Sequence, residues 1–379
     1  MSKSYSNRSR SNYRPPRRTP DSIADLSRLD TANPIGRCNK RWVLRRIVAM
    51  NNDRHALREK KVSYKTMHER EGELRLFFGS LWSLPQCAAV DPRTLKPKHI
   101  VAVFAQWRAQ GLSPKTLCNR LSAVRTFAFW IGKRGLVETA ANAGLDLKAL
   151  RVSQAATEDK SWRFRGIDVV KMIAAAEKRC PYVAASIALM AAFGLRRRES
   201  LMCFPHEGVV PIEQAMFYAG SLEGVTHVFR IKGAKSGRPR EIPITTAEQW
   251  AALRCAQALV ATGQPIARPG KSLKMNLSWM DHVLAEIGIT RKQSGVTAHG
   301  LRHQRFNDDY ELMTGEPSPV RGGNRVDSKI DEAARRHIAE IAGHGRTQIV
   351  AAYLGKLVVL RRSSARPPCG SDSSGANST

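Results

Sequence analysis

The sequence predicts a mainly α-helical protein with one small β-sheet, folded as two domains. Three observations carry this. Apolar residues between 46 and 136 recur at helical spacing, two short strand-forming runs at 228–231 and 241–244 flank a turn-rich segment, and periodicity is lost between 146 and 162.

Residues 1–45 read as a basic, flexible N-terminal arm. Lys3, Arg8, Arg10, Arg14, Arg17 and Arg18 all precede the first acid, Asp21. A segment so rich in Ser, Arg, Asn and Pro does not bury enough apolar surface to order itself, and it suits either a phosphate-gripping arm or a solubilising tail. Residues 46–150 form the first domain. The run 66–78 places Met67, Leu74, Phe77 and Phe78 on one helical face. Pro97 opens a helix carrying Ile100, Val103, Phe104 and Trp107, which Gly111 closes. Ser113 and Pro114 supply an N-cap and first-turn proline for a long helix through Trp130 that ends at Gly132 and Gly135. At helical spacing these aromatics are core rather than base-stacking groups. Lys115, Arg120 and Arg125 lie on the opposite face as candidate DNA contacts.

A polar linker leads to a second domain, 160–360, that begins near Trp162. Helical patterns cover 167–177 and 182–193; the two strands then flank GAKSGRP, a hairpin connection, and helices resume from Glu248. Residues 361–379 read as a disordered tail.

The charge balance narrows the function. Lys and Arg number 62 against 32 Asp and Glu, a formal net charge of +30. Such an excess repels itself unless a polyanion sits against it, and nucleic acid is the first candidate, ahead of an anionic membrane. Seven cysteines are scattered without a Cys-x-x-Cys pair, and an odd count argues against a complete disulfide framework. They suit a reducing cytoplasmic setting, nucleoid-associated when DNA is bound. The polar N-terminus does not read as a signal peptide, and the longest apolar stretch, 183–195, is too short to span a bilayer.

Five short segments of the second domain, the last two linked in one stretch, carry groups suited to phosphodiester chemistry. In GLRRRES, Arg196 follows a helix-ending glycine, with Glu199 placed to fix it. In AKSGRPREIPI, Lys235 sits at the hairpin tip. In HGLRH, His299 and Arg302 share one side of a helix or tight turn, and a guanidinium fork matches two phosphate oxygens. In AGHGRTQIVAAYLG, His344 lies between two glycines and Tyr353 follows. One straight helix would turn those two side chains to opposite sides. They meet only if the chain breaks, for which Gly345 is the expected break and Thr347 the cap of a new helix through Tyr353. Ala351 and Ala352 are expected to leave the phenol uncrowded. Taken singly, each segment also has a plainer reading: a surface ion pair, a solvated lysine, a capping histidine, a core tyrosine.

In this order the segments resemble the tyrosine recombinase (phage integrase) family over roughly residues 63–357. SYKT at 63–66 and LSPKTLCNRLSAVRTFAFW at 112–130 resemble that family's helical core-binding domain. The resemblance implies a SAM-like core-binding domain followed by an α+β catalytic domain. It also implies a catalytic set of Arg196, Lys235, His299, Arg302, His344 and Tyr353. Lys235 stands before Pro243 at the family spacing, which selects it over Lys232. Glu199 and His303 are expected as supports, the first orienting Arg196 and the second packing against the loop. The chain departs from the family pattern in Phe193 before GLR, in AGH for LGH, and in lacking Thr just before Tyr353. Arg302 and His344 also stand further apart than in relatives, the excess falling in the polar stretch 315–329.

The implied reaction is cleavage and rejoining of DNA through a 3′-phosphotyrosyl intermediate, without metal, ATP or other cofactor, to integrate or excise a mobile element. The implied partners are double-stranded attachment sites, a tetramer on synapsed DNA, and accessory bending or directionality proteins; no membrane is involved. Two alternatives share these residues: a type IB topoisomerase-like relaxase, and a noncatalytic DNA-binding regulator on the same scaffold.

Overall fold

The computed structural model describes residues 29–31, 33–37, 39–55, 61–218, 220, 223–231 and 239–356. The chain divides into two compact units, 1–153 and 154–379. The expected basic tail up to residue 28, the hairpin tip with Lys235 and the C-terminal tail 361–379 lie outside the described residues. Among the described residues no helix is long and apolar enough to cross a membrane.

The first unit is helical: α1 (Lys40–Asn51), α2 (Tyr64–Ser83), α3 (Pro97–Ala109), α4 (Pro114–Trp130) and α5 (Leu136–Asn142). The starts are set by local chemistry. Asn39 and Ser63 cap α1 and α2 through their side chains, and Ser113 caps α4, accepting from Thr116 N–H. Leu74, Phe77 and Phe78 of α2, Val103, Phe104 and Trp107 of α3, and Leu121, Val124 and Phe127 of α4 form one core. Phe78 meets Phe127 edge-on at 4.9 Å, and Trp107 donates its indole N–H to Ser80 at 3.0 Å. These aromatics are therefore core, as their spacing predicts.

Two expectations for this unit need correction. The segment through residue 45 is not all arm, because α1 starts at Lys40 and buries Val43, Leu44, Ile47 and Val48 in the same core. Flanking arginines and lysines mask that apolar stripe in the sequence. The three cations of α4 do not form one outward row either. Lys115 is exposed, and Arg125 is half exposed and paired with Glu138 at 3.4 Å. Arg120 instead lies over the Trp107 ring at 4.3 Å, 3.2 Å from the Glu73 carboxylate. Its guanidinium faces inward because stacking and pairing both draw it there.

The second unit holds α6 (Val169–Glu177), α7 (Pro181–Phe193), α8 (Arg197–Met202), α9 (Ala247–Leu259), α10 (Leu273–Glu286), α11 (His299–Thr314), α12 (Ser328–Ile341) and α13 (Ala351–Leu354). Its sheet has three antiparallel strands, β1 (Val209–Pro211), β2 (His227–Ile231) and β3 (Arg240–Ile244), with β2 central. The predicted pair is β2–β3, in which Phe229 faces Ile242 and Arg230 faces Glu241. The short β1 carries no strand signature of its own and was not expected. Helix α7 is apolar all round and forms the middle of the core, with Ile187, Leu189, Met190 and Phe193 buried. The fold class read from the sequence, mainly helical with one small sheet, is the one observed.

Candidate active site

The end of α7 starts the site. Gly194 leaves the helix in a left-handed conformation (φ 60°), and Arg196 becomes the N-cap of α8. Glu199, in the first turn of α8, reaches back to Arg196. Its Oε2 accepts the Arg196 backbone N–H at 2.8 Å and its Oε1 accepts Nη1 at 2.7 Å. A second arginine, which the sequence reading missed, meets the same carboxylate. Arg240 of β3 donates Nη1 to Oε1 at 2.9 Å and Nη2 to Oε2 at 2.8 Å. Burial alone would raise the Glu199 pKa, but the Arg240 bonds and the charges of Arg240, Arg196 and Arg302 outweigh it. The carboxyl is held well below the usual range.

Helix α11 supplies the next groups from one face. Arg302 has no exposed surface. Its Nε donates to the Tyr353 hydroxyl at 3.0 Å, Nη1 to the Gly194 carbonyl, and Nη2 to the Ala342 carbonyl at 2.8 Å. Arg196 Nη2 shares that Ala342 carbonyl at 3.2 Å and lies 3.1 Å from His344 Nε2. Burial lowers the Arg302 pKa to about 10, with Arg196 and Arg240 acting in the same direction, so the group stays protonated at neutral pH.

The Tyr353 phenol is ringed by aromatic groups: Phe306 at 4.9 Å between centroids, His303 at 5.0 Å, His344 at 5.8 Å and His299 at 6.0 Å. It is therefore crowded, contrary to expectation, because Ala351 and Ala352 do not determine what surrounds it. The bond at the phenol oxygen comes from Arg302, not from a histidine.

The chain break before Tyr353 also differs from the expected one. Helix α12 ends at Ile341 with Ala342 as its C-cap, and Gly343 takes φ 67°. His344 N–H then bonds to the Ala339 carbonyl at 2.8 Å and Gly343 N–H to Glu340 at 2.9 Å, a paired C-terminal motif that wants glycine at this position. A Cβ on Gly343 would also stand 3.0 Å from Arg240 Cδ. Gly343, not Gly345, thus makes the break. Thr347 opens a 3-10 turn rather than capping a helix, and Tyr353 sits on the four-residue α13.

Four of the sequence-predicted residues, His299, Arg302, His303 and His344, surround the phenol; Arg196 joins them through His344 and the Ala342 carbonyl, and Glu199 holds Arg196. Lys235 lies outside the described residues. Arg240 and Asn307 are the residues that were missed. Asn307 donates Nδ2 to the His303 carbonyl at 2.7 Å and to the Tyr353 carbonyl at 3.3 Å. The signal for Arg240 was a charged pair, Arg240–Glu241, opening an otherwise apolar strand, since buried charge demands a partner.

The histidines make stability pH-dependent. Burial, helped by Arg302 and Arg196, pulls His299 down to about 4; burial and His299 pull His303 to about 3. The unfolded chain therefore takes up protons before the folded one as pH falls below 6.5. Stability is full above that value and lost on acidification towards 4, with His299 alone contributing roughly 3 kcal/mol. Urea midpoints should hold level from pH 8 to 7 and fall steadily from 6.5 to 4. A level midpoint across the lower window would mean that both imidazoles are solvated.

Two family descriptions match the chain: "Phage integrase, N-terminal" over residues 49–137 and "Integrase" over residues 152–308. No curated protein matches it significantly. Among solved structures, a lambda integrase dimer bound to a COC′ core site aligns at a TM-score of 0.50 and 15% identity, covering 86% of this chain and 79% of that one. A lambda integrase tetramer bound to a Holliday junction aligns at 0.50 and 14%, covering 81% and 74%. At these identities the likeness is one of fold.

Proposed function

The chain belongs to the phage integrase family of tyrosine recombinases, and from that premise we propose that Tyr353 is the nucleophile with which it cuts and rejoins DNA at specific sites. The observation that carries this reading is convergence. His299 and Arg302 of α11, His344 after α12 and, through His344 and the shared Ala342 carbonyl, the Arg196–Glu199 pair converge from three segments on one phenol, whose oxygen lies 3.0 Å from Arg302 Nε.

The Tyr353 oxygen attacks the scissile phosphorus, forming a 3′-phosphotyrosyl bond as the bond to the 5′-oxygen breaks. His299, neutral at pH 7, accepts the phenolic proton. Lys235 protonates the departing 5′-oxygen. Arg196 and Arg302 hold the non-bridging oxygens, where negative charge gathers in the transition state. The covalent intermediate conserves the energy of the broken bond, so rejoining needs no nucleotide. Glu199 holds Arg196 and, through Arg240, is itself held to the sheet.

Arg302 is covered by the phenol, so a phosphate reaches it only when Tyr353 swings off Nε. The bonds to Gly194 and Ala342 keep the guanidinium in place during that exchange. His344 donates to phosphate from Nε2 once its contact with Arg196 opens. The DNA partner is a duplex core site, bound as a tetramer when two sites are synapsed; lambda integrase was crystallised as a dimer on a core site and as a tetramer on a Holliday junction.

The test is a denaturing gel of the full-length protein mixed with duplexes from the ends of the element that carries its gene. A covalent adduct is expected, with the DNA on the peptide that contains Tyr353. The adduct should persist in excess EDTA, because fixed cationic side chains carry the charge at the phosphate. A metal requirement, or an adduct on another peptide, would overturn this assignment.

A further inference from the structure

The stretch 315–329, which lengthens the interval between Arg302 and His344, folds against the elements that carry the site. Ser318 is fully buried, and its hydroxyl donates to the Asn307 side-chain oxygen. Asn307, fully buried on α11, passes the connection on by donating to the Tyr353 carbonyl at 3.3 Å. Arg321 anchors the stretch. Its Nε donates to buried Asp159 at 3.0 Å, and its Nη1 to Asp308 at 2.7 Å and Glu311 at 3.3 Å. Between these two residues Val320 passes directly under Gly355, where a Cβ would stand 3.1 Å from the Val320 nitrogen. From the start of the unit, Ala156 N–H donates to the Ala351 carbonyl at 2.8 Å.

A four-residue helix does not hold itself in place, so the position of α13 is set by these outside bonds. We infer that the 315–329 stretch braces the nucleophile of its own chain: Ser318, acting through Asn307, and Arg321, by anchoring the stretch, are positioning residues for Tyr353. They fix the backbone of 351–355 and leave the phenol free to swing off Arg302. In-line attack tolerates little displacement of the nucleophile, so a loosened backbone slows chemistry without weakening DNA binding. This inference rests on the assignment of Tyr353, and its test separates the two.

Backbone hydrogen exchange is measured on the full-length, DNA-free chain as wild type, Ser318→Ala, Arg321→Gln and Ser318→Thr. Peptides covering 347–356 should exchange at least about fivefold faster in Ser318→Ala, the effect of one lost hydrogen bond on a local opening. The 181–193 helix should be unchanged, and Ser318→Thr, which keeps the hydroxyl, should return exchange towards wild type. On saturating duplex, single-turnover adduct formation should fall about tenfold in Ser318→Ala with affinity unaltered. The brace is overturned if 347–356 stays within about twofold of wild type in both Ser318→Ala and Arg321→Gln. It is equally overturned if 181–193 accelerates by the same factor, since the contact would then stabilise the whole unit. A wild-type chain that forms no adduct at Tyr353 unseats the nucleophile instead, and the exchange result stands apart from that outcome.

Discussion

Tyr353→Phe should abolish the covalent adduct while leaving DNA binding as strong as wild type, or stronger. The substitution removes one oxygen and keeps the ring among Phe306, His303 and His299. In the free protein it strips Arg302 Nε of its acceptor, at a cost of about 1–3 kcal/mol for an unmet buried donor. The Gly194 and Ala342 carbonyls still hold the guanidinium. Bound DNA then supplies a phosphate oxygen that no longer competes with the phenol, which is why affinity should not fall. The measurement pairs a filter-binding isotherm with a denaturing gel on the same duplex. An adduct formed by the Phe variant would move the nucleophile elsewhere. Tyr310 of α11 is a poor substitute: it is buried, its hydroxyl donates to Asp331 at 2.6 Å, and burial and that carboxylate push its pKa up.

The parts of this site that were legible in the sequence are those in which chemistry and local structure coincide. HGLRH opens a helix, so helical spacing alone puts His299 and Arg302 on one side. Arg196 and Glu199 lie within one turn, and a cap geometry joins them. Helices with strong apolar stripes and proline or serine starts, such as α3 and α4, were readable for the same reason. What stayed hidden depends on contacts between distant segments. Arg240 reaches Glu199 across the unit, and nothing near Arg240 in the chain announces that partner. The left-handed turn falls at Gly343 rather than Gly345 because α12 runs to Ile341 and its last carbonyls need the bonds that Gly343 and His344 provide. Arg120 looked like a surface cation because a helical wheel does not show that Trp107 of another helix lies beneath it.

Arg302→Lys should lower the single-turnover cleavage rate by at least about a hundredfold, the scale associated with losing one donor to a developing oxyanion. Charge is retained, so the loss comes from geometry. Arg302 places three N–H groups in one plane on three protein acceptors, the Tyr353 oxygen and the Gly194 and Ala342 carbonyls. Once the phenol has left Nε, three of the guanidinium's five donors are open to a phosphate while the two carbonyls keep the fork still. An ammonium has three donors radiating from one atom, and it cannot bridge carbonyls on either side of the site and also present two parallel bonds to phosphate. It is also strongly hydrated and would be placed where no surface is exposed, so its charged form is disfavoured. Some loss of stability is therefore expected alongside the kinetic effect, because at least one buried carbonyl is left without a donor. Cleavage is accordingly measured well below the variant's melting temperature, at saturating duplex, with affinity determined separately. A rate loss below about tenfold at unchanged affinity would mean that Arg302 shapes the pocket without touching the phosphate, leaving Arg196 as the principal clamp.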